Sequence, residues 1–265
     1  VYDKPMIYYP ISILMLSGIK DVLVIASERD IERFKELLQD GSQIGINIVY
    51  EIEHDTKGIG NAFIIGEEFI GDDDVCLVLG DNIFYGHKLP VMLKDSVREV
   101  KENRSAVVFG YYVQDPERFG VVEFDNNNNA LSLEEKPKNP KSNYAVVGLY
   151  YYTNDVVNIA KALEPSKRGE LEITDINLQY LKDKKLSVRL LGRGHAWLDT
   201  GTHQTLLEAS SFISMVESRQ GWKISCIEEI AYRMGYISSQ DLENLSKGYN
   251  NDYGEYLLKI SKTPI

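Results

Sequence analysis

Apolar and polar positions along the chain follow two periods, and the switches between them predict its elements. Residues 6–17 are apolar at helical spacing and stop at Gly18. DVLVIAS (21–27) reads as a buried strand, and DIERFKELLQD (30–40) as an amphipathic helix with Asp30 at its N-cap. NIVYEIE (47–53) is a strand, residues 61–70 a short helix, and DVCLVLG (74–80) a strand. Residues 89–103 read as helix and 105–113 as strand. This alternation predicts a parallel sheet with helices on both faces. The pattern then changes. GVVEFD, NNNN and ALSLEEKP (120–137) predict a hairpin that turns at Asn126 to Asn129. Residues 145–153 are strand, 173–183 helix and 186–192 strand, and the chain is mostly helical after Thr202. The expected organisation is an α/β core with a mixed, mostly parallel sheet and an inserted β-ribbon over residues 1–219, followed by a helical appendage over 220–265.

Two apolar runs end on acids. LVLGDN carries Leu77–Leu79 into Gly80, Asp81 and Asn82, and HAWLDTGT carries Ala196–Leu198 into Asp199, Thr200 and Gly201. Ligands of open α/β sheets sit beyond the carboxyl ends of strands. Two such carboxylates suit Mg²⁺, which takes one or two carboxylates together with waters and substrate phosphates. Turn chemistry accounts equally for Gly-Asp-Asn, and an N-cap or turn role accounts for Asp199. In LSLEEKP, strand alternation places Glu134 and Lys136 on one face and Glu135 on the other. Such residues serve sugar hydroxyls and a phosphate, or simply a solvated strand end. In SKRGELEITD, Arg168 offers a phosphate contact and Glu170 or Glu172 hydroxyl contacts. A helix start favours the same acids.

Composition narrows the classes. The 265 residues are 43% hydrophobic, and the net charge is −11. That balance argues against a nucleic-acid surface, and no apolar run approaches the ~20 residues of a membrane span. Cys76 and Cys226 have no metal spacing and read as reduced thiols of a cytoplasmic protein. His54, His87, His195 and His203 form no ligand motif.

The segments YDKPMIYYP, LVLGDNIFYGH, DPERFGVVEFD, SLEEKP, SNYAVVGLY, RGELEITDIN and AWLDTGTH, in this order, resemble the sugar-1-phosphate nucleotidyltransferases, and most narrowly their thymidylyltransferase branch. The resemblance runs from Val1 to about Tyr256. It implies a Rossmann-like fold of the nucleotide-diphospho-sugar transferase type, and in-line attack of glucose 1-phosphate on dTTP to give dTDP-glucose, the first step toward dTDP-rhamnose. It implies Mg²⁺ on Asp81 and Asp199, and the sugar phosphate on Lys136 and Arg168. Glu135, Gly120 and Val146 would meet the glucose ring, with Glu170 beside them, and Gly58 and Glu53 would meet the base. Asn82 and Trp197 are further substrate contacts. Tyr85, Gly86, His87, Arg193, Glu229 and Arg233 match a second nucleotide-sugar site for feedback inhibition by dTDP-rhamnose. A homotetramer is the family's expected assembly.

Three departures carry consequences. The family's GGxGTRLxPxT loop and opening strand have no counterpart from Val1 onward, so the chain as written is expected to lack its triphosphate cradle and to be inactive alone. Glu53 stands where the family carries Gln at the thymine edge. A carboxylate only accepts hydrogen bonds, which leaves a uridylyl- or cytidylyltransferase open. Phe119 replaces a Tyr before Gly120. A catalytically dead binding subunit is the reading outside the enzymes.

Overall fold

The apolar stretch that opens the chain becomes α1 (Tyr8–Leu16), buried along nearly its whole length. The computed structural model describes residues 1–126 and 129–263. After α1 come β1 (Asp21–Ser27), α2 (Glu28–Leu38), β2 (Asn47–Glu53), α3 (Asn61–Ile65), α4 (Glu67–Ile70), β3 (Val75–Val78), β4 (Asn82–Gly86) and α5 (Leu89–Asn103). Then follow β5 (Ala106–Tyr112), β6 (Gly120–Phe124), β7 (Ala130–Glu135), β8 (Tyr144–Tyr152), α6 (Val156–Ala162), α7 (Ile173–Lys182), β9 (Leu186–Leu191) and β10 (His195–Asp199). Four helices complete the chain: α8 (His203–Gln220), α9 (Ile227–Arg233), α10 (Ser239–Ser246) and α11 (Asp252–Ser261). The fold is mixed α/β.

Several local expectations are corrected. Helix α2 starts at Glu28, with extended Ser27 as its N-cap residue. Asp30 is the third helical residue and accepts the Ser27 hydroxyl at 2.8 Å, so the acid serves the first turn from inside. The helix of 61–70 is two short ones, divided at Gly66. The chain after Asp81 is a strand, β4, which Gly-Asp-Asn masked as a turn. Helix α6 was also not foreseen. Thr202 caps α8: its hydroxyl accepts from the Thr205 N–H at 3.1 Å.

Two compact units are formed. One comprises Val1–Tyr50, Gly80–Tyr85 and Leu198–Ile265. It packs α1 against α9, and α9 against α10 and α11. Tyr9, Ile83, Ala209, Ile213 and Ile224 form one of its apolar clusters. Its first residues are fixed by charge. The Lys4 ammonium, on a side chain only 1% exposed, meets Glu217 at 2.9 Å and also pairs with Asp3, while Lys223 pairs with Asp3 and lies 3.4 Å from Glu217. Glu217 further accepts the Ile224 N–H at 2.8 Å. Burial alone would raise the Asp3 carboxyl, but the two ammonium groups outweigh it and hold it below its ordinary 3.8.

The other unit comprises Glu51–Leu79 and Gly86–Trp197. Its sheet is mixed: β8 runs antiparallel to both β3 and β5, and β5 runs parallel to β9. The β-ribbon is the antiparallel pair β6–β7, with Gly120 opposite Glu135 and Val122 opposite Leu133. Asp125 and Asn129 close it, the Asp125 N–H donating to the Asn129 carbonyl at 2.9 Å. Asn127 and Asn128 of the expected turn lie outside the described residues. The core gathers Val108, Val122, Leu133, Tyr152, Ile176 and Tyr180, and α7 packs over β7 and β9. Among the described residues no helix is long and apolar enough to cross a membrane.

Candidate active site

The acid pair is built in the first unit. Asp81 lies in the link between β3 and β4, and Asp199 is the last residue of β10; these two strands, β4 and β10, pair with each other. Asp81 is exposed and Asp199 half-buried. The buried Asn82 donates its amide to Asp81 Oδ1 at 2.8 Å, and the Gly201 N–H donates to Asp199 Oδ1 at 2.9 Å. Thr200 donates to the Asp81 carbonyl oxygen. No Lys or Arg among the described residues forms an ion pair with either acid. Two oriented carboxylates without a protein cation, each with oxygens to spare, are a hard-oxygen donor set that fits a divalent cation. Among the described residues no group of three or more His, Cys, Asp or Glu gathers to hold a metal alone, so waters and phosphates would complete the shell.

The second unit assembles the ribbon side. Gly120 and Glu135 face each other across β6 and β7. Thr174, buried at the start of α7, donates its hydroxyl to Glu135 Oε2 at 2.6 Å. Lys136 departs from the expected alternation. Its φ is +44°, so the chain leaves the pleat there, and its N–H donates to the Phe119 carbonyl at 3.0 Å. Its ammonium therefore approaches Glu135, 3.8 Å away, and Glu134 pairs with Lys141 at 2.8 Å instead. Val146 is a half-buried residue of β8 opposite Gly110 of β5.

Arg168 is held by acids of its own loop. Its guanidinium pairs with Glu170 and reaches Glu172 at 3.1 Å, and the Ser166 hydroxyl donates to Glu172 at 2.8 Å. The hydrogen bond to Glu170, with further attraction from Glu172, raises the pKa of Arg168 above its ordinary value. Glu170 and Glu172 thus form an ion-pair frame around Arg168. Gly58 packs on the same loop at φ +90°: an added Cβ would lie 2.8 Å from the Leu171 carbonyl oxygen and 2.9 Å from Glu170 Cβ. The Leu171 N–H bonds the Lys57 carbonyl at 2.6 Å. Glycine is required there by chain packing alone. Trp197 is 9% exposed and meets Phe119 and Tyr111 edge-on, at ring-centroid distances of 5.3 and 5.9 Å. Phe119 thereby contributes an apolar edge to the Trp197 ring. Glu53, half-buried, ends β2.

The residues matched to a feedback site are distributed between the units. In the first, Tyr85 packs edge-on against Phe212 and receives the Gln220 amide at 3.1 Å. There Arg233 pairs with Glu229 at 2.6 Å and lies 5.3 Å over the Trp222 ring. In the second, Gly86 lies against the His195 ring, and His87 and Arg193 are exposed. Sequence reasoning missed Thr174 as the partner of Glu135 and Thr200 as the partner of Asp81.

A mixed α/β fold with two oriented, cation-free carboxylates on one unit and a ribbon that ends in a lysine on the other has the parts of a nucleotidyl-transferring enzyme. Residues 1–215 match the nucleotidyl transferase family, and the chain belongs to that family. It is 56% identical over 263 residues to the glucose-1-phosphate thymidylyltransferase of Neisseria meningitidis, covering 99% of this chain and 90% of that protein. With the enzyme of the same name from Mycobacterium tuberculosis it shares 49% identity over 261 residues, 98% of this chain and 89% of that one. Among solved structures, a Bacillus anthracis chain assigned that activity and solved with a sucrose aligns with a TM-score of 0.72 at 37% identity, covering 80% of this chain and 83% of that one. A UDP-glucose pyrophosphorylase solved with UDP-glucose aligns at 0.70 with 24% identity over 81% of this chain and 88% of its own, a likeness of fold.

Proposed function

We propose that this chain transfers a thymidylyl group from dTTP to glucose 1-phosphate. A phosphate oxygen of the sugar phosphate bonds to the α-phosphorus, the bond from that phosphorus to the bridging oxygen of the β-phosphate breaks, and dTDP-glucose and pyrophosphate result. The observation that carries the reading is 56% identity to a glucose-1-phosphate thymidylyltransferase across 99% of the chain.

Asp81 and Asp199 hold Mg²⁺, with Asn82 and Gly201 orienting their carboxylates. Bound there, the ion neutralises charge on the phosphate oxygens. Lys136 and Arg168 bind the phosphate of glucose 1-phosphate. For Arg168 this is an exchange, since its guanidinium is already engaged by Glu170 and Glu172. Glu135, held by Thr174, accepts sugar hydroxyls, with the main chain of Gly120 and Val146 lining the ring and Glu170 and Trp197 beside it. Gly58 and Glu53 serve the base. Positioning of two anions supplies most of the acceleration. The enzyme works in the cytoplasm as a homotetramer, with residues 220–265 as its assembly and regulatory part. dTDP-rhamnose inhibits it at Tyr85, Gly86, His87, Arg193, Glu229 and Arg233.

The test is pyrophosphate release from dTTP, UTP or CTP with Mg²⁺ and glucose 1-phosphate. Preference for dTTP supports the reading, and release only with UTP or CTP removes it. Glu53 favours a second reading, relaxed base choice, because its carboxylate has no proton to donate. Glu53→Gln then raises the preference for dTTP over UTP. An unchanged ratio of kcat/KM values takes Glu53 out of the base site.

A further inference from the structure

Thr200 directly follows Asp199, and it grips the backbone of Asp81 twice. Its N–H donates to the Asp81 carbonyl oxygen at 3.0 Å, and its hydroxyl donates to the same oxygen at 2.8 Å. The hydroxyl also lies 3.8 Å from the Met6 sulfur, a far weaker acceptor, so the carbonyl takes the proton. Each carboxylate is oriented by a donor on its own segment, the Asn82 amide for Asp81 and the Gly201 N–H for Asp199. The two segments are then tied to one another through Thr200. A single main-chain bond leaves the Asp81 peptide free to swing about it. A second donor on the same oxygen removes that freedom.

We infer that the Thr200 hydroxyl fixes the separation of the Asp81 and Asp199 carboxylates and thereby sets the affinity of the pair for a divalent cation. Thr200 is a positioning residue and touches no reacting atom. The inference rests on the reading of Asp81 and Asp199 as the metal pair. The main-chain bond survives a side-chain change, so Thr200→Val, of nearly the same shape, deletes only the hydroxyl's contribution. Thr200→Ser keeps the hydroxyl and deletes the methyl.

The experiment is a titration of the full chain with Mn²⁺, following the electron paramagnetic resonance of the free ion without substrates, and then the Mg²⁺ dependence of turnover. Thr200→Val is expected to weaken Mn²⁺ binding about tenfold, the lower end of what lost outer-sphere support costs a metal site, and to raise the Mg²⁺ needed for half-maximal rate by a similar factor. Thr200→Ser is expected to bind as the unaltered chain does. Asp81→Asn and Asp199→Asn serve as references. If they weaken Mn²⁺ binding and Thr200→Val does not, the role of Thr200 is overturned and the metal pair stands. If Thr200→Ser weakens binding as much as Thr200→Val, the hydroxyl is not responsible, and the inference is again overturned. If neither acid variant changes Mn²⁺ binding, the metal pair itself fails, and the inference fails with it.

Discussion

Glu135 and Thr174 share one short hydrogen bond, 2.6 Å from the threonine hydroxyl to Oε2, although 39 residues separate them in the chain. A Cβ at Gly120 would lie 3.3 Å from each of those two oxygens. The glycine thus leaves room for the pair.

Gly120→Ala should disturb the Glu135 carboxylate while sparing the strand. An acceptor moved off its partners loses about 1–3 kcal/mol. The KM for glucose 1-phosphate should therefore rise about tenfold, with the KM for dTTP nearly unchanged. Steady-state kinetics with each substrate varied in turn measures the difference.

Asp199→Asn keeps an acceptor for the Gly201 N–H and removes a charge. Because metal-ion charge stabilisation is worth several kcal/mol in the transition state, kcat should fall by roughly two orders of magnitude or more. The melting temperature should barely move. Chelation of the divalent cation should abolish turnover of the unaltered chain, and restored Mg²⁺ should return it.

Arg168 separates function from stability. Its guanidinium is 44% exposed, although Glu172 is only 12% exposed, and pairs with an exposed member contribute about 0–1 kcal/mol. Arg168→Ala should leave the urea midpoint nearly unchanged and raise the KM for glucose 1-phosphate strongly. A large stability loss would show the loop frame to be the main role of this arginine.

Lys4 shows the opposite behaviour. With its side chain 1% exposed and Glu217 at 6%, the pair is buried. Lys4→Met should destabilise by about 3 kcal/mol at neutral pH, as expected for a buried pair that loses one member. Asp3 is held below its ordinary 3.8 by Lys223 and Lys4. Its contribution is therefore present above that pH and fades as pH falls through the lowered value. Substitution removes part of that contribution, so the gap between variant and unaltered chain should narrow below pH 3.8 in denaturant titrations followed by circular dichroism.

The alternation of strands and helices was legible because short apolar runs alternate with segments of helical period. DVLVIAS became β1 with the same limits. Strand β4 was hidden because it is five residues long and directly follows good turn chemistry. The N-cap of α2, at Ser27, was misplaced at Asp30 because a serine and an acid three residues apart both suit the first turn. The acids of the site were legible where a carboxylate closes an apolar run. Their supports were not. Thr174 and Thr200 act on partners 39 and 119 residues away, and no local pattern encodes such a pairing. The direction of Lys136 was misjudged because alternation presumes an extended backbone, and φ at this residue is positive.

That last conformation has a cost. A lysine in the left-handed region is less stable there than a glycine would be, by roughly 1 kcal/mol, and the Lys136 side chain is exposed, with its ammonium 3.8 Å from Glu135. Lys136→Gly should raise the unfolding midpoint while removing the charge proposed to meet the sugar phosphate. At this position a sturdier protein would be a poorer catalyst, and a screen that selects on heat resistance alone would drift toward inactive variants through residue 136.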